Sequence, residues 1–196
     1  MGKRIFLIRH APTEANLSGS MRLNYGDEPI LDISRKDLCK WDVDVGDNIP
    51  EGKKRLYISP AYRCRQTAQL LFPTLDPIEC DELKEFDCCG LGSKKFWQMS
   101  RLEFESMVHF SSQEMGYQAT NFLQTCQLAS PDIIIGISHG MFIRYMYHFM
   151  TGNRDISPYD VINSKGFSFA NLDMLEINME EHTVQMYRFK APILHK

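Results

Sequence analysis

The sequence predicts an α/β fold, a three-layer α/β/α sandwich with a mostly parallel central sheet. Three short apolar runs, residues 5–8, 56–58 and 133–137, are typical of buried strands. Strands without polar alternation are usually covered on both faces, as in parallel sheets. Helical stretches separate the runs, and strands that alternate with helices favour such a sheet. The length of 196 residues fits a single domain, 1–196.

The helices follow from apolar spacing. Pro60 suits the first turn of a helix that runs to about Phe72. Apolar residues at helical spacing also flank the third strand. They are Ala119, Phe122, Leu123, Cys126 and Ala129 before it, and Met141, Phe142, Tyr145, Met146 and Phe149 after it. Gly152 is a typical residue for the end of the later helix.

The C-terminal part changes pattern. Residues 172–179 and 183–189 are predicted strands, and residues 180–182 between them indicate a hairpin. Residues 20–55 are polar and irregular, and about 86–118 are weakly patterned. We interpret both stretches as excursions from the sheet, the second of them cap-like.

The composition excludes several classes of protein. The chain has 22 Lys+Arg against 25 Asp+Glu, a formal net charge of −3, and 43% hydrophobic residues. That apolar fraction is enough for a core and argues against a disordered chain. A nucleic-acid partner is not expected without a basic excess. No membrane partner is expected either, because no apolar run reaches about 18 residues. The oligomeric state stays open.

The six cysteines are scattered, and none forms a C-x-x-C pair. They are Cys39, Cys64, Cys80, Cys88, Cys89 and Cys126. A chain of this length does not need a disulfide framework, so we expect free thiols and a cytoplasmic location. A zinc site at Cys88, Cys89 and a histidine is the alternative, but the spacing matches no common structural zinc pattern.

Two of the predicted strands end in the same way. Residues 7–10 end in Arg9-His10, and residues 135–140 contain Ser138-His139-Gly140. Ligands of open α/β sheets bind at the carboxyl ends of strands. If the two strands are parallel neighbours, His10 and His139 share one pocket. A lone histidine after a strand is more often structural, but two at the same relative position favour a site.

Residues 59–68 follow the second strand and place arginines at the start of a helix. A helix N-terminus attracts anions, and the planar guanidinium of Arg63 matches phosphate oxygens. Taken alone, such a segment is more often a surface helix that carries solvated arginines.

Together these segments resemble the histidine phosphatase superfamily, which contains the phosphoglycerate mutases. The family's R-H-G-x-T-x-x-N signature stands here as residues 9–16, and its S-x-x-x-R-x-x-Q-T-A element as residues 59–68. Its S-H-G stands at 138–140, and its L-x-E acid element at 83–85. The elements occur in family order, and together they cover nearly the whole chain. The resemblance implies a phosphoglycerate mutase-like fold.

The resemblance also implies a mechanism. His10 matches the nucleophile that becomes phosphohistidine, and Glu85 matches the proton donor, with Glu82 and Asp87 as nearby competitors. The positions that bind the phosphoryl group are matched by Arg9, Asn16, Arg63, His139 and Gly140. Positive neighbours would keep His10 unprotonated. No metal and no cofactor are expected, because arginines and histidines supply the positive charge.

The sequence departs from the family in two places. Ala11 replaces the usual glycine, a variant that resembles the branch with α-ribazole phosphatase-like proteins. After Glu85 the usual Gly-aromatic-Glu-Gly is replaced by residues 88–92, Cys-Cys-Gly-Leu-Gly. The interval from Glu85 to His139 is short for the family, which predicts a short cap. The aromatic residues of that interval would either line the pocket or simply pack. They are Phe96, Trp97, Phe104 and Phe110.

We therefore expect a phosphatase that acts on a small phosphomonoester. A mutase-type phosphotransferase is the alternative, although the chain lacks the long insertions by which mutases exclude water. A catalytically weak relative that only binds phosphorylated ligands is the other alternative. Arg22 and Tyr25 either reach the substrate or lie on the surface. The remaining histidines have no motif context.

Overall fold

A computed structural model describes residues 2–18, 28–32, 45–86, 99–164 and 169–189. The strands in these ranges are β1 (Arg4–Arg9), β2 (Lys54–Ile58), β3 (Pro77–Glu79), β4 (Ile133–Ser138), β5 (Met174–Asn178) and β6 (Thr183–Tyr187). The helices are α1 (Glu14–Ser18), α2 (Tyr62–Leu71), α3 (Arg101–Glu105), α4 (Ser112–Leu128), α5 (Gly140–Met150) and α6 (Pro158–Asn163). Short 3-10 turns cover Val45–Asn48 and Asp81–Leu83.

The strands form one mixed sheet in the order β3-β2-β4-β1-β5-β6. The first four strands are parallel, whereas β5 and β6 run antiparallel to their neighbours. The three apolar runs of the sequence are β1, β2 and β4, and they lie side by side at the centre of the sheet. The predicted α/β fold with a mostly parallel sheet is therefore confirmed.

Both faces of the sheet are buried. On one face Ile5 and Leu7 pack with residues of α4 and α5, such as Phe122 and Phe142. On the other face the neighbouring residues of β1, Phe6 and Ile8, pack with side chains of α2. This alternation explains why the strand is apolar throughout, since each side chain lies in one of two cores.

Three elements differ from the sequence prediction. Helix α2 begins at Tyr62 with Ala61 as its N-cap, so Pro60 precedes the helix instead of opening it. Helix α4 begins at Ser112, within the stretch that the sequence analysis treats as an excursion, and its Met115 is buried in the core. The excursion therefore ends before α4. Strand β3 was not predicted because it is short and fully exposed.

The C-terminal hairpin and the end of α5 agree with the predictions. Strands β5 and β6 pair from Asn178↔Thr183 outward, so the turn falls at residues 179–182. Within this turn His182 takes a left-handed φ of 54°. Gly152 follows α5 with a φ of 93°, a conformation that costs glycine little.

Cys64, Cys80 and Cys126 are buried free thiols, whereas Cys39, Cys88 and Cys89 lie outside the described residues. Among the helices that the structure describes, none has the length and apolar character needed to cross a membrane. No group of three or more His, Cys, Asp or Glu side chains in the described ranges is arranged to hold a metal ion.

Candidate active site

The two strand-end histidines meet, as the sequence analysis predicts. Strands β1 and β4 are parallel, and their last residues, Arg9 and Ser138, are in register. His10 and His139 follow directly, with ring centroids 5.4 Å apart. The backbone N–H of His10 donates to the Ser138 carbonyl at 2.9 Å, which extends the strand pairing by one residue. Both imidazoles are buried, at 5% and 1% exposure.

His10 is held as a neutral ring of defined tautomer. Its Nδ1 lies 2.8 Å from the Ala11 carbonyl oxygen. A carbonyl can only accept, so Nδ1 carries the proton and Nε2 keeps the lone pair. Burial, and then the charges of Arg9 and Arg63, lower the pKa of His10 well below its ordinary value, although the bond to Ala11 opposes them. The neutral form is the one that can act as a nucleophile.

His139 is also neutral, but both of its nitrogens are engaged. An Arg63 Nη2 donates to its Nδ1 at 3.0 Å, because a guanidinium cannot accept. Nε2 therefore carries the proton and donates to Ser59 Oγ at 2.8 Å. Burial lowers the pKa of His139, followed by the charges of Arg63, His10 and Arg9.

Arg9 lies against the first turn of α5. A Cβ at position 140 would stand 3.2 Å from Arg9 Nε, so Gly140 makes room for the guanidinium. Its Nη1 donates to the Phe169 carbonyl, and its buried Nε has no hydrogen-bond partner among the residues that the structure describes. Burial lowers the pKa of Arg9 to about 10, so the group stays charged at neutral pH. An unpartnered buried donor is ready for an anion.

Glu85 lies at the N-terminus of α5. Its two carboxylate oxygens accept from the Met141 N–H at 3.1 Å and the Phe142 N–H at 3.0 Å. Burial raises the pKa of Glu85, whereas these hydrogen bonds and the charges of Arg63 and Arg9 oppose the rise. The neighbouring Glu82 instead accepts from the Cys80 thiol, and Asp87 lies outside the described residues.

The loop after β1 carries Asn16. Its Oδ1 accepts from the Thr13 N–H at 3.1 Å and from Asn171 Nδ2 at 2.9 Å. Two donors on the oxygen fix the orientation of the amide, so its NH₂ group points away from them. Ala11 is fully buried and is not among the residues with positive φ. A glycine is therefore not needed at this position for backbone reasons.

Asn171 is a positioning residue that the sequence analysis missed. Besides Asn16, its Nδ2 donates to the His10 carbonyl at 2.8 Å. The next residue, Leu172, has a φ of 68°, which is unusual for a bulky side chain, and its N–H donates to the Arg9 carbonyl. No local pattern reveals these contacts, because the partners are about 160 positions apart.

Arg144 was missed as well. It lies one helical turn after Gly140. Burial lowers the pKa of Arg144, and the Glu85 carboxylate opposes this effect in part. Its Nη1 donates to the Ile162 carbonyl at 3.0 Å.

The aromatic residues of the cap interval pack where the structure describes them. Phe104 is fully buried in the core, and Phe110 stacks on Phe86 with centroids 5.2 Å apart. Phe96, Trp97, Arg22 and Tyr25 lie outside the described residues.

Two neutral histidines, two arginines and a carboxylate thus meet at the carboxyl ends of the parallel strands, an arrangement suited to a phosphoryl group. The comparison with known families agrees. The family model of the histidine phosphatase superfamily (branch 1) matches residues 5–189. The chain belongs to this superfamily.

Solved structures share the fold at low sequence identity. The phosphoserine phosphatase from Entamoeba histolytica, in complex with 3-phosphoglyceric acid, is 17% identical with a TM-score of 0.73, and the match covers 97% of this chain and 98% of that chain. The α-ribazole phosphatase from Shigella flexneri is 14% identical with a TM-score of 0.61, over 95% and 96% of the two chains. A mycobacterial glucosyl-3-phosphoglycerate phosphatase in complex with VO3 is 11% identical with a TM-score of 0.64, over 97% and 100%. No curated protein matches the chain.

Proposed function

We propose that this chain is a phosphatase that hydrolyses a small phosphomonoester through a covalent phosphohistidine on His10. The observation that carries the proposal is the tautomer of His10. Its Nδ1–H is committed to the Ala11 carbonyl at 2.8 Å, which leaves Nε2 as the nitrogen with a lone pair. Burial and two arginines favour this neutral form, as a nucleophilic imidazole requires.

In the first step the Nε2 lone pair forms a bond to phosphorus while the bond from phosphorus to the ester oxygen breaks. Arg9 and Arg63 would bind the phosphoryl oxygens, with the amide of Asn16 and the N–H of Gly140 as neutral donors. Glu85 in its acid form gives its proton to the leaving oxygen. Burial raises the pKa of Glu85, which favours this acid form.

In the second step a water molecule attacks phosphorus and the bond from phosphorus to nitrogen breaks. The Glu85 carboxylate takes a proton from that water and regains its acid form. The products are the alcohol and inorganic phosphate, and His10 returns to its starting state. Each step is a displacement at phosphorus, in which charge stabilisation and positioning supply most of the catalysis.

Arg63 and His139 would change partners when the substrate binds. In the present arrangement Arg63 donates to His139 Nδ1 at 3.0 Å. A phosphoryl oxygen is a better acceptor than a neutral imidazole, so we expect Arg63 to turn to it. His139 Nδ1 can then accept a proton from solvent and donate to the same phosphoryl group, because the negative charge of that group offsets the burial and the arginines that keep the ring neutral.

The activities of the structural neighbours support hydrolysis rather than phosphoryl transfer between sugars or acids. They are phosphatases of phosphoserine, α-ribazole phosphate and glucosyl-3-phosphoglycerate. These three substrates differ chemically, so we propose a class of substrate, the small phosphomonoesters, and not one compound. A reducing, cytoplasmic location fits the three buried free thiols.

The test is hydrolysis of p-nitrophenyl phosphate by the wild-type chain and by His10→Ala. We expect the variant to lose on the order of 10³-fold or more in kcat. His182→Asn is the matched control, because His182 is exposed at the opposite edge of the sheet and Asn tolerates its left-handed φ of 54°. Equal activity in wild type and His10→Ala would refute the role of His10 as the nucleophile.

Incubation with 3-phosphoglycerate distinguishes a phosphatase from a mutase, since a mutase makes the isomer and a phosphatase releases phosphate.

A further inference from the structure

The loop that carries Glu85 is held through its backbone by side chains of other elements. Three consecutive carbonyls, those of Glu82, Leu83 and Lys84, accept side-chain hydrogen bonds. Ser138 Oγ donates to the middle carbonyl at 2.7 Å. Gln118 Nε2 donates to both outer carbonyls, at 2.9 and 2.8 Å. A loop outside the sheet ladder needs such donors for its polar backbone groups.

Gln118 donates from a rigid support. It lies on α4, whose first turn is fixed by a capping box between Ser111 and Glu114. Its neighbours Met115 and Ala119 are fully buried in the core beneath the helix. The amide of Gln118 therefore reaches the loop from a helix that is anchored to the sheet.

The two hydrogen bonds from Gln118 hold the backbone that leads into Glu85. Lys84 directly precedes Glu85, and the Gln118 bond to its carbonyl fixes the peptide that joins the two residues. On the other side the carboxylate accepts from the Met141 and Phe142 N–H groups at the start of α5. The backbone is thus held from α4 and the carboxylate from α5.

We propose that Gln118 is a positioning residue for the general acid. It keeps Glu85 at the distance from the phosphoryl group that proton donation requires. This inference rests on the proposed role of Glu85. General acids contribute most when the leaving oxygen is a strong base, because a weakly basic oxygen departs without a proton. Loss of Gln118 therefore impairs turnover in a way that depends on the leaving group, whereas a general structural role does not.

The experiment compares Gln118→Met with the wild type on phenyl phosphate and on p-nitrophenyl phosphate. Methionine keeps the length of the side chain and removes both N–H donors. We expect kcat/KM for phenyl phosphate to fall about tenfold more than kcat/KM for p-nitrophenyl phosphate, because kcat/KM reports the transfer to His10, the step in which the leaving oxygen departs. The ratio of the two kcat/KM values does not depend on the fraction of folded enzyme. Gln124→Met, at an exposed position of the same helix, is the control and should leave the ratio unchanged.

Glu85→Gln separates failure of this inference from failure of the proposed function. If Glu85→Gln selectively impairs phenyl phosphate and Gln118→Met does not, the positioning role of Gln118 is wrong and the acid assignment stands. If Glu85→Gln lowers kcat/KM equally for both substrates, the acid assignment and this inference fall together. The double variant gives the decisive result: in the Glu85→Gln background, Gln118→Met should cause no further selective loss.

Discussion

The side chain of Asn171 offers a test of how the nucleophile loop is held. Asn171→Ala removes two hydrogen bonds from one Nδ2, to the His10 carbonyl at 2.8 Å and to Asn16 Oδ1 at 2.9 Å. His10 is only 5% exposed, so its carbonyl loses a buried partner, at a cost of about 1–3 kcal/mol. With about 2 kcal/mol lost, Tm should fall by roughly 4–8 °C.

The same change should weaken substrate binding. Asn16 keeps the bond from the Thr13 N–H but loses the second of the two donors that fix its amide. A lost hydrogen bond of about 1 kcal/mol raises KM roughly threefold to tenfold. Asn171→Asp should be worse than Asn171→Ala in both respects, because a carboxylate oxygen would then face two acceptor oxygens.

The assay combines thermal unfolding with steady-state hydrolysis of p-nitrophenyl phosphate. Asn153→Ala, at an exposed position after α5, serves as the control. A wild-type Tm and KM in Asn171→Ala would refute the reasoning, and so would an Asn171→Asp variant that is more stable than Asn171→Ala.

The other predictions concern pH, packing and thiol reactivity. Because the pKa values of His10 and His139 are lowered in the folded chain, the unfolded chain binds more protons as pH falls below about 6.5. The free energy of unfolding should therefore decrease on acidification, by at most about 1.4 kcal/mol per pH unit for each histidine. Denaturant titrations at several pH values should show a smaller decrease in His139→Gln than in the wild type. Gly136→Ala places a Cβ 2.7 Å from Leu7 Cδ2, so calorimetry should record a loss of about 1–3 kcal/mol, and an unchanged Tm would contradict the packing. Cys64 is fully buried, and burial raises its thiol pKa to about 12; peptide mapping should find it unmodified by iodoacetamide in the folded chain and modified after unfolding.

Much of the fold follows from local patterns. The apolar runs of β1, β2 and β4 predict strands because strands that are covered on both faces have few polar side chains. The family motifs place His10 and His139 directly after β1 and β4. The two histidines are close because the ends of neighbouring parallel strands lie side by side. The start of α4 was placed too late because residues 112–118 are mostly polar. The Ser111-x-x-Glu114 capping box was a usable signal for that start.

The supporting contacts of the site could not be predicted in this way. Gln118 and Asn171 act on backbone carbonyls that lie 34 and 161 positions away in the chain. Neither residue stands in a pattern that marks it, because a backbone carbonyl carries no sequence information. Strand β3 escaped prediction for another reason, since three exposed residues at a sheet edge have no apolar periodicity.

A covalent phosphoryl group on His10 can be trapped directly. The wild-type chain is mixed with p-nitrophenyl phosphate, quenched in alkali during turnover, digested and analysed by mass spectrometry. We expect a phosphorylated peptide that contains His10, is labile in acid and stable in alkali, and is absent from His10→Ala. Turnover without a phosphopeptide, or with phosphate on another residue, would contradict it.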